Sequence, residues 1–280
     1  MESRGNTLQA MDKRTSLSEA VRLVPDAGAT VAFGGVTLYR RPMAFALAML
    51  QRHALHGVPR DLTLLNFTAG VESDVLIGGG LVRRVRSCYF GLEIFGLAPH
   101  FTSAAGRGEI EITEESEASL ALGLRARLGR VGFMPSTAWT GTDMFRLRPD
   151  VRTVVDPYSG EELTAFPALG ADVAVLHALE ADPEGNARLG EHQGLDRELA
   201  LVADRVIVTA EKVVPRLDKA DIIAPVVTAV VETPQGAWPT SCHPLYPLDG
   251  LALLEYTEQA GKDSYPRFLE TWLARHHLSG

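Results

Sequence analysis

Val31-Ala32-Phe33-Gly34-Gly35-Val36, followed by Arg40-Arg41-Pro42, is the stretch that sets the architecture. Thr30 to Phe33 reads as a buried strand that stops at two glycines. Pro42 to His53 reads as a strong helix, with proline suited to its first position. The same alternation runs outward in both directions. Upstream, a Ser/Thr start and Glu19 mark a capped helix over Thr15 to Leu23. Downstream, strands are expected at Leu62 to Phe67, Val85 to Tyr89, Val173 to His177, Arg205 to Thr209 and Val226 to Val231. Glu109 to Thr113 alternates charged and apolar residues and runs into a helix from Glu117 to Leu128. Glu198 to Ala203 and Ser264 to His277 are further helices. Strands alternating with helices of this length imply an α/β fold with a largely parallel sheet flanked by helices.

Residues 1–12 read as a flexible tail and residues 13–280 as one domain, with no internal repeat. Gly141 to Pro167 is loop-rich and reads as a lid or hairpin excursion rather than a divider of two subdomains. Pro234 to Gly250 carries four prolines, and long irregular loops inside compact domains are often functional.

Composition narrows the function. Of 280 residues 46% are apolar, enough for a substantial core, and no apolar run approaches the roughly 20 residues of a bilayer span. Met1 to Lys13 lacks the apolar segment of a secretory signal, and Met11 offers a second start. Only Cys88 and Cys242 are present, so a disulfide framework is not expected and a cytoplasmic location fits. The net charge of -8 is spread through the chain, which argues against a nucleic-acid surface.

Each motif has a plain reading beside a functional one. Gly34 and Gly35 at a strand's carboxyl end let backbone approach a ligand, or make an ordinary strand-to-helix turn. No G-x-G-x-x-G fingerprint accompanies them. Arg40 and Arg41 meet a phosphate, or belong to an exposed charged loop. Asp182 to Asn186 is a good hairpin turn and reads as scaffold. Ile77-Gly78-Gly79-Gly80 reads as a flexible turn, or as a second place where backbone approaches a ligand. Cys242 and His243 are adjacent, so their side chains point apart, and His276 and His277 are expected in solvent. The eight histidines show no metal-ligand spacing, so no metal site is expected. Glu117 opens a helix, where an acid complements the dipole. The functional alternative is a base acting on water or on a carbon acid, which would require burial to raise its pKa.

The strand-Gly-Gly-loop-Arg-Arg-Pro pattern resembles the glycine signature of family I coenzyme A transferase alpha subunits, especially the glutaconate branch. Asp172 to His177 with Ala181-Asp182-Pro183-Glu184-Gly185-Asn186 resembles the family's mid-chain strand and turn. Ala203 to Glu211 resembles its next helix-strand-Glu element. Gly236-Ala237-Trp238-Pro239-Thr240-Ser241-Cys242 with Leu245-Tyr246 resembles a loop of the glutaconate branch. The resemblance implies a fold of the NagB/RpiA/CoA-transferase type, coenzyme A as substrate and no covalently bound cofactor. It also implies a beta subunit that supplies the nucleophilic glutamate, with acyl-CoA and a carboxylic acid as reactants. Gly34, Gly35, Arg40 and Arg41 become the candidates for contacting coenzyme A. Most such transferases carry glutamine at the position of Glu117. A related group of ring-opening hydrolases of steroid breakdown is similar to this chain in carrying glutamate. Three readings stand: transferase subunit, ring-opening hydrolase subunit, or a non-enzymatic ligand-binding module on the shared fold.

Overall fold

The computed structural model describes residues 11–278. Of the expected tail, only Met11 and Asp12 lie among them. In chain order the elements are α1 (Leu17–Val21), β1 (Thr30–Phe33), α2 (Met43–His56), β2 (Leu62–Asn66), α3 (Val71–Gly78), β3 (Val82–Ser87), α4 (Pro99–Arg107) and β4 (Glu111–Glu114). There follow α5 (Glu117–Leu128), β5 (Phe133–Ser136), α6 (Met144–Leu147), β6 (Arg152–Val155), β7 (Glu162–Pro167), β8 (Val173–Ala178), β9 (Glu180–Ala181) and β10 (Ala187–Arg188). The chain closes with α7 (Asp196–Val202), β11 (Arg205–Ala210), β12 (Ala229–Glu232), α8 (Gly250–Gln259) and α9 (Tyr265–Arg275).

Seven strands form one sheet in the order β12-β11-β8-β1-β2-β3-β4, and every pairing in it is parallel. The expected parallel α/β sheet is therefore present. Its central strands are covered on both faces, which is why β8 is buried at every residue. The period-two geometry of β1 sends Val31 and Phe33 to one core and Ala32 to the other. The first core holds α1, α2, α3, α8 and α9. The second holds Leu120 and Leu124 of α5 and Leu199 of α7.

Two excursions leave the sheet. β9 and β10 form a short antiparallel hairpin around the Asp182–Asn186 turn, whose Asp182 carboxylate accepts from the Gly185 and Asn186 amides. This is the scaffold turn that the sequence implies. The loop-rich stretch folds as a three-stranded antiparallel sheet in the order β5-β7-β6. That bears out the hairpin excursion and adds a strand to it.

Several expectations shift. The glycines at 78–80 end helix α3 rather than forming a free turn, and only Gly80 has a positive φ, of 77°. Pro42 caps α2 from outside rather than occupying its first position. Val226 closes a 3-10 turn, so the last strand begins later, at Ala229. Among the described residues no helix is long and apolar enough to cross a membrane.

Candidate active site

The sheet's order reverses between β1 and β8, and in open α/β sheets ligands bind at the carboxyl ends of strands beside such a reversal. At that point β1 runs into Gly34, whose amide donates to Val175 O at 2.9 Å. The Gly35 amide donates to Asp196 Oδ1 at 3.0 Å. Val36 and Tyr39 then exchange backbone hydrogen bonds of 3.1 and 2.9 Å, closing a tight hairpin.

The two glycines are required by the chain itself. A side chain on Gly34 would overlap Leu176 and the Asp196 carboxylate. Gly35 has φ of 87°, and a Cβ there would lie 2.5 Å from Tyr39 O and 2.7 Å from Arg40 O. The close backbone approach expected of them is thus an approach to Asp196 and to their own hairpin. On the β8 side a cleft of about 620 Å³ opens, lined by Tyr39, Leu179, Gly190, His192, Ser241 and His243.

Arg40 and Arg41 correct both sequence readings, because each is fully buried. Arg40 donates to His177 O at 2.6 Å and to Asp196 Oδ2 at 2.8 Å. Arg41 donates to Gly35 O at 2.8 Å and pairs with Glu72. Neither guanidinium is in a loop open to solvent or to a phosphate. Charges this deep persist only when paired and hydrogen-bonded, and here the pairs lock the glycine hairpin to α3 and α7.

The opposite flank of the rim is built by β3 and β4. Their register sets Ser87 beside Glu114, so Cys88 and Glu115 follow side by side. The Cys88 thiol donates to Phe67 O at 2.8 Å. Burial pushes that thiol up to about 11, and the Glu117 carboxylate adds to the shift. Glu117 is the exposed first residue of α5. Ser116 caps the helix, accepting from the Ser119 amide at 3.2 Å while its own amide donates to Ser119 Oγ at 2.8 Å. Glu115 is buried between Arg86 and Arg148. Val36, Phe67 and Cys88 are half-buried.

A sequence model of the coenzyme A transferase family matches residues 14–232, most of the chain and every strand of its main sheet. The chain belongs to the coenzyme A transferase family.

Within that family it is similar to the A-type subunit of the 3-oxoadipate CoA-transferase of Pseudomonas knackmussii, 31% identical over 85% of either chain. It is equally similar, at 31% identity, to a cholesterol ring-cleaving hydrolase subunit of Rhodococcus jostii, over 94% of this chain and 92% of that one. It is 34% identical to an uncharacterised protein of Archaeoglobus fulgidus over 92% of this chain but spans only 59% of that protein. Among solved structures, a chain of a variant of the decarboxylase AibA/AibB superposes with a TM-score of 0.87 at 32% identity, over 95% of this chain and 100% of that one. Glutaconate coenzyme A-transferase of Acidaminococcus fermentans gives 0.86 at 27% identity, over 95% and 91%. The alpha-subunit resemblance and the NagB/RpiA/CoA-transferase type of fold are thereby borne out. An enzyme subunit is favoured over a ligand-binding module.

One buried cluster of this coenzyme A transferase chain has no signal in residue spacing. His177, at the end of β8, has Nδ1 2.8 Å from Thr209 Oγ1 and Nε2 2.7 Å from Glu211 Oε1. Tyr246 also donates to Glu211 Oε1, and the Gln235 amide donates to Oε2 at 2.6 Å. Ligand atoms of His177, Glu211 and Cys242 lie within 4.8 Å of one another, the size of a metal site. His177 and Glu211 are already satisfied by each other and by Thr209, Tyr246 and the Gln235 amide. Burial, and after it the Glu211 carboxylate, pushes the Cys242 thiol up to about 12. Cys242 is buried and His243 exposed, so the two form no dyad. His276 is half-buried with Nε2 3.2 Å from Trp238 O, and burial pushes it down to about 4, which corrects its expected exposure.

Proposed function

We propose that this chain is the alpha subunit of a heteromeric coenzyme A transferase, moving coenzyme A between an acyl thioester and a carboxylic acid. The nucleophilic glutamate comes from a beta subunit. The observation that carries this reading is the self-sufficiency of the rim. Arg40 with Asp196, Arg41 with Glu72, His177 with Glu211, and Glu115 with Arg86 and Arg148 are all committed to one another. What the rim offers is a shaped glycine turn, a cleft beside it, and the Glu117 side chain on the far flank. Gly34 and Gly35 form the wall against which the thioester lies, and position 117 faces the substrate.

In the proposed reaction the partner's carboxylate oxygen attacks the thioester carbonyl and the C–S bond breaks, leaving coenzyme A thiolate and a mixed anhydride. The thiolate then attacks the glutamyl carbonyl and releases the donor acid. The acceptor carboxylate reverses both steps, giving ping-pong kinetics. Chemistry of this kind calls for hydrogen-bond donors aimed at the developing oxyanion. At position 117 glutamine or glutamate serves, since both reach equally far.

A second reading, a subunit of a ring-opening acyl-CoA hydrolase, is favoured by Glu117 itself. It is a carboxylate exposed on the rim, and a ring-cleaving hydrolase subunit is among the relatives. A base role calls for burial, which a docked partner would have to provide.

The test combines the chain with a candidate beta subunit. The chain alone turns over no thioester, the complex does, and borohydride or hydroxylamine trapping after acyl-CoA modifies the beta subunit. Ping-pong turnover by the purified chain, or trapping on it, would overturn the proposal. Glu117→Gln decides between the readings. Exchange survives in a transferase, whereas hydrolysis falls about 100- to 10,000-fold if Glu117 is a base.

A further inference from the structure

We propose that the three-stranded sheet β5-β7-β6 is a clasp, and that Trp139 and Arg148 on its first connection are positioning residues for Glu117. The proposal rests on position 117 facing the substrate. Trp139 Nε1 donates to Ser116 Oγ at 2.8 Å, the same oxygen that caps α5. Arg148 Nη1 reaches Glu115 Oε1 at 2.8 Å and Glu114 O at 2.9 Å, while Nε and Nη2 hold Asp150, each at 2.8 Å. Ser119 Oγ donates to Glu115 Oε2 and receives the Ser116 amide at 2.8 Å. The bonds run Asp150, Arg148, Glu115, Ser119, Ser116, Trp139. The backbone on both sides of Glu117 is therefore gripped by a sheet that belongs to neither face of the main core.

Two features mark this as more than packing. Trp139 has φ of 73°, a left-handed conformation that is costly for a bulky residue and persists only where surroundings enforce it. Those surroundings are the edges of Phe166, 4.9 Å away at 84°, and Phe145, 6.0 Å away at 89°. Thr164 of β7 also holds the preceding carbonyl, donating to Ala138 O at 2.5 Å. In addition, Glu115 and Arg148 are buried charges anchored beside a residue that is itself exposed. An ordinary helix start needs only its serine cap.

Burial chiefly holds the Cys88 thiol protonated and the Glu117 carboxylate adds to that, so Cys88 reports where the carboxylate stands. The other cysteine, Cys242, is fully buried. The experiment follows iodoacetamide alkylation of Cys88 at pH 8.5, resolved by mass, in the full chain. Glu117→Gln removes the charge and speeds alkylation about threefold, and Trp139→Phe, which deletes one N–H and no charge, gives a similar gain. Circular dichroism checks that the Phe variant is folded, and Arg148→Lys serves as a second variant with the charge kept. In the beta-subunit complex both variants lower kcat more than tenfold with KM little changed. Trp139→Phe and Arg148→Lys alkylating at the wild-type rate, while Glu117→Gln alkylates faster, would overturn the clasp. A Glu117→Ala complex as active as wild type would instead overturn the role of position 117, even if the alkylation results hold.

Discussion

Asp74 shows what single residues do in this core. Its carboxylate accepts from Tyr256 Oη at 2.6 Å and from the Phe101 and His100 amides at 2.7 and 3.3 Å. Burial still outweighs these bonds and pushes Asp74 from an ordinary value of 3.8 up to about 6, with Glu72 adding to the rise. The folded state therefore holds the proton more tightly than the unfolded chain. The stability this contributes is complete below pH 3.8 and is lost as pH rises through about 6, a change of about 3 kcal/mol. Asp74→Asn should flatten that part of the stability curve, even though the amide is a poorer partner for three donors and lowers stability overall. Melting temperatures of both proteins between pH 4 and 7 check this, and equal slopes would contradict it. Residues of this kind are the least legible in a sequence. Arg40, Arg41, Glu72, Asp74, Glu115, Arg148 and Asp196 are all buried, yet charged types read as exposed because burial is costly without a partner. Several of the partners, such as Asp196 for Arg40, lie far away along the chain. Glu117 was legible as a helix-opening acid, but the long-range bond from Trp139 to its neighbour was not.

Elements were legible wherever local pattern and tertiary role agree. β1 and α5 have the expected bounds, and β2, β8 and β11 differ by one residue, since apolar β-branched runs are what a doubly covered strand requires. α3, α4 and α8 were missed. α3 is buried from Val71 to Ile77 and so shows no one-sided stripe, and α4 is short and ends at Gly106 and Arg107. The strand-to-helix connection after β1 yields a sharp prediction. Gly35→Ala sets a Cβ against Tyr39 O and Arg40 O at φ of 87° and should cost about 2 to 5 kcal/mol, from the left-handed backbone and the overlap together. Gly57 is the control: it ends α2 at φ of 71° with nothing within 4 Å of a Cβ, so Gly57→Ala should cost only about 1 kcal/mol. Urea unfolding of both variants measures the difference. Equal losses would mean that the hairpin is not tightly closed.

At the scale of the molecule, the family match ends at residue 232, but the core does not. Trp238, Tyr256, Tyr265, Phe268 and Trp272 come from beyond that point and are buried in the same cluster as β1 and α2. The Trp272 ring lies 5.3 Å from both Tyr256 and Trp238 and 5.2 Å from Phe268. Trp272→Ala should therefore cost about 3 to 5 kcal/mol, and a chain cut before α9 should unfold at lower temperature by calorimetry. An unchanged melting temperature would show that the closing helix is dispensable. The overall fold class was legible because strands and helices alternate along nearly the whole chain. The order of strands was not, since it depends on which connection turns left or right at the sheet's centre.

That order has a consequence for how the protein is born. β1 lies beside β8, with Val31 opposite Val173. A ribosome adding 5–20 residues per second needs roughly 7 to 28 seconds to make the intervening chain, so β1 waits that long with one edge unpaired. Local pairing with β2 forms early, while the β1–β8 pairing joins the strands furthest apart in sequence of any pairing in the main sheet. Folding rates fall as such contacts lengthen, and the waiting edge is where misassembly would begin.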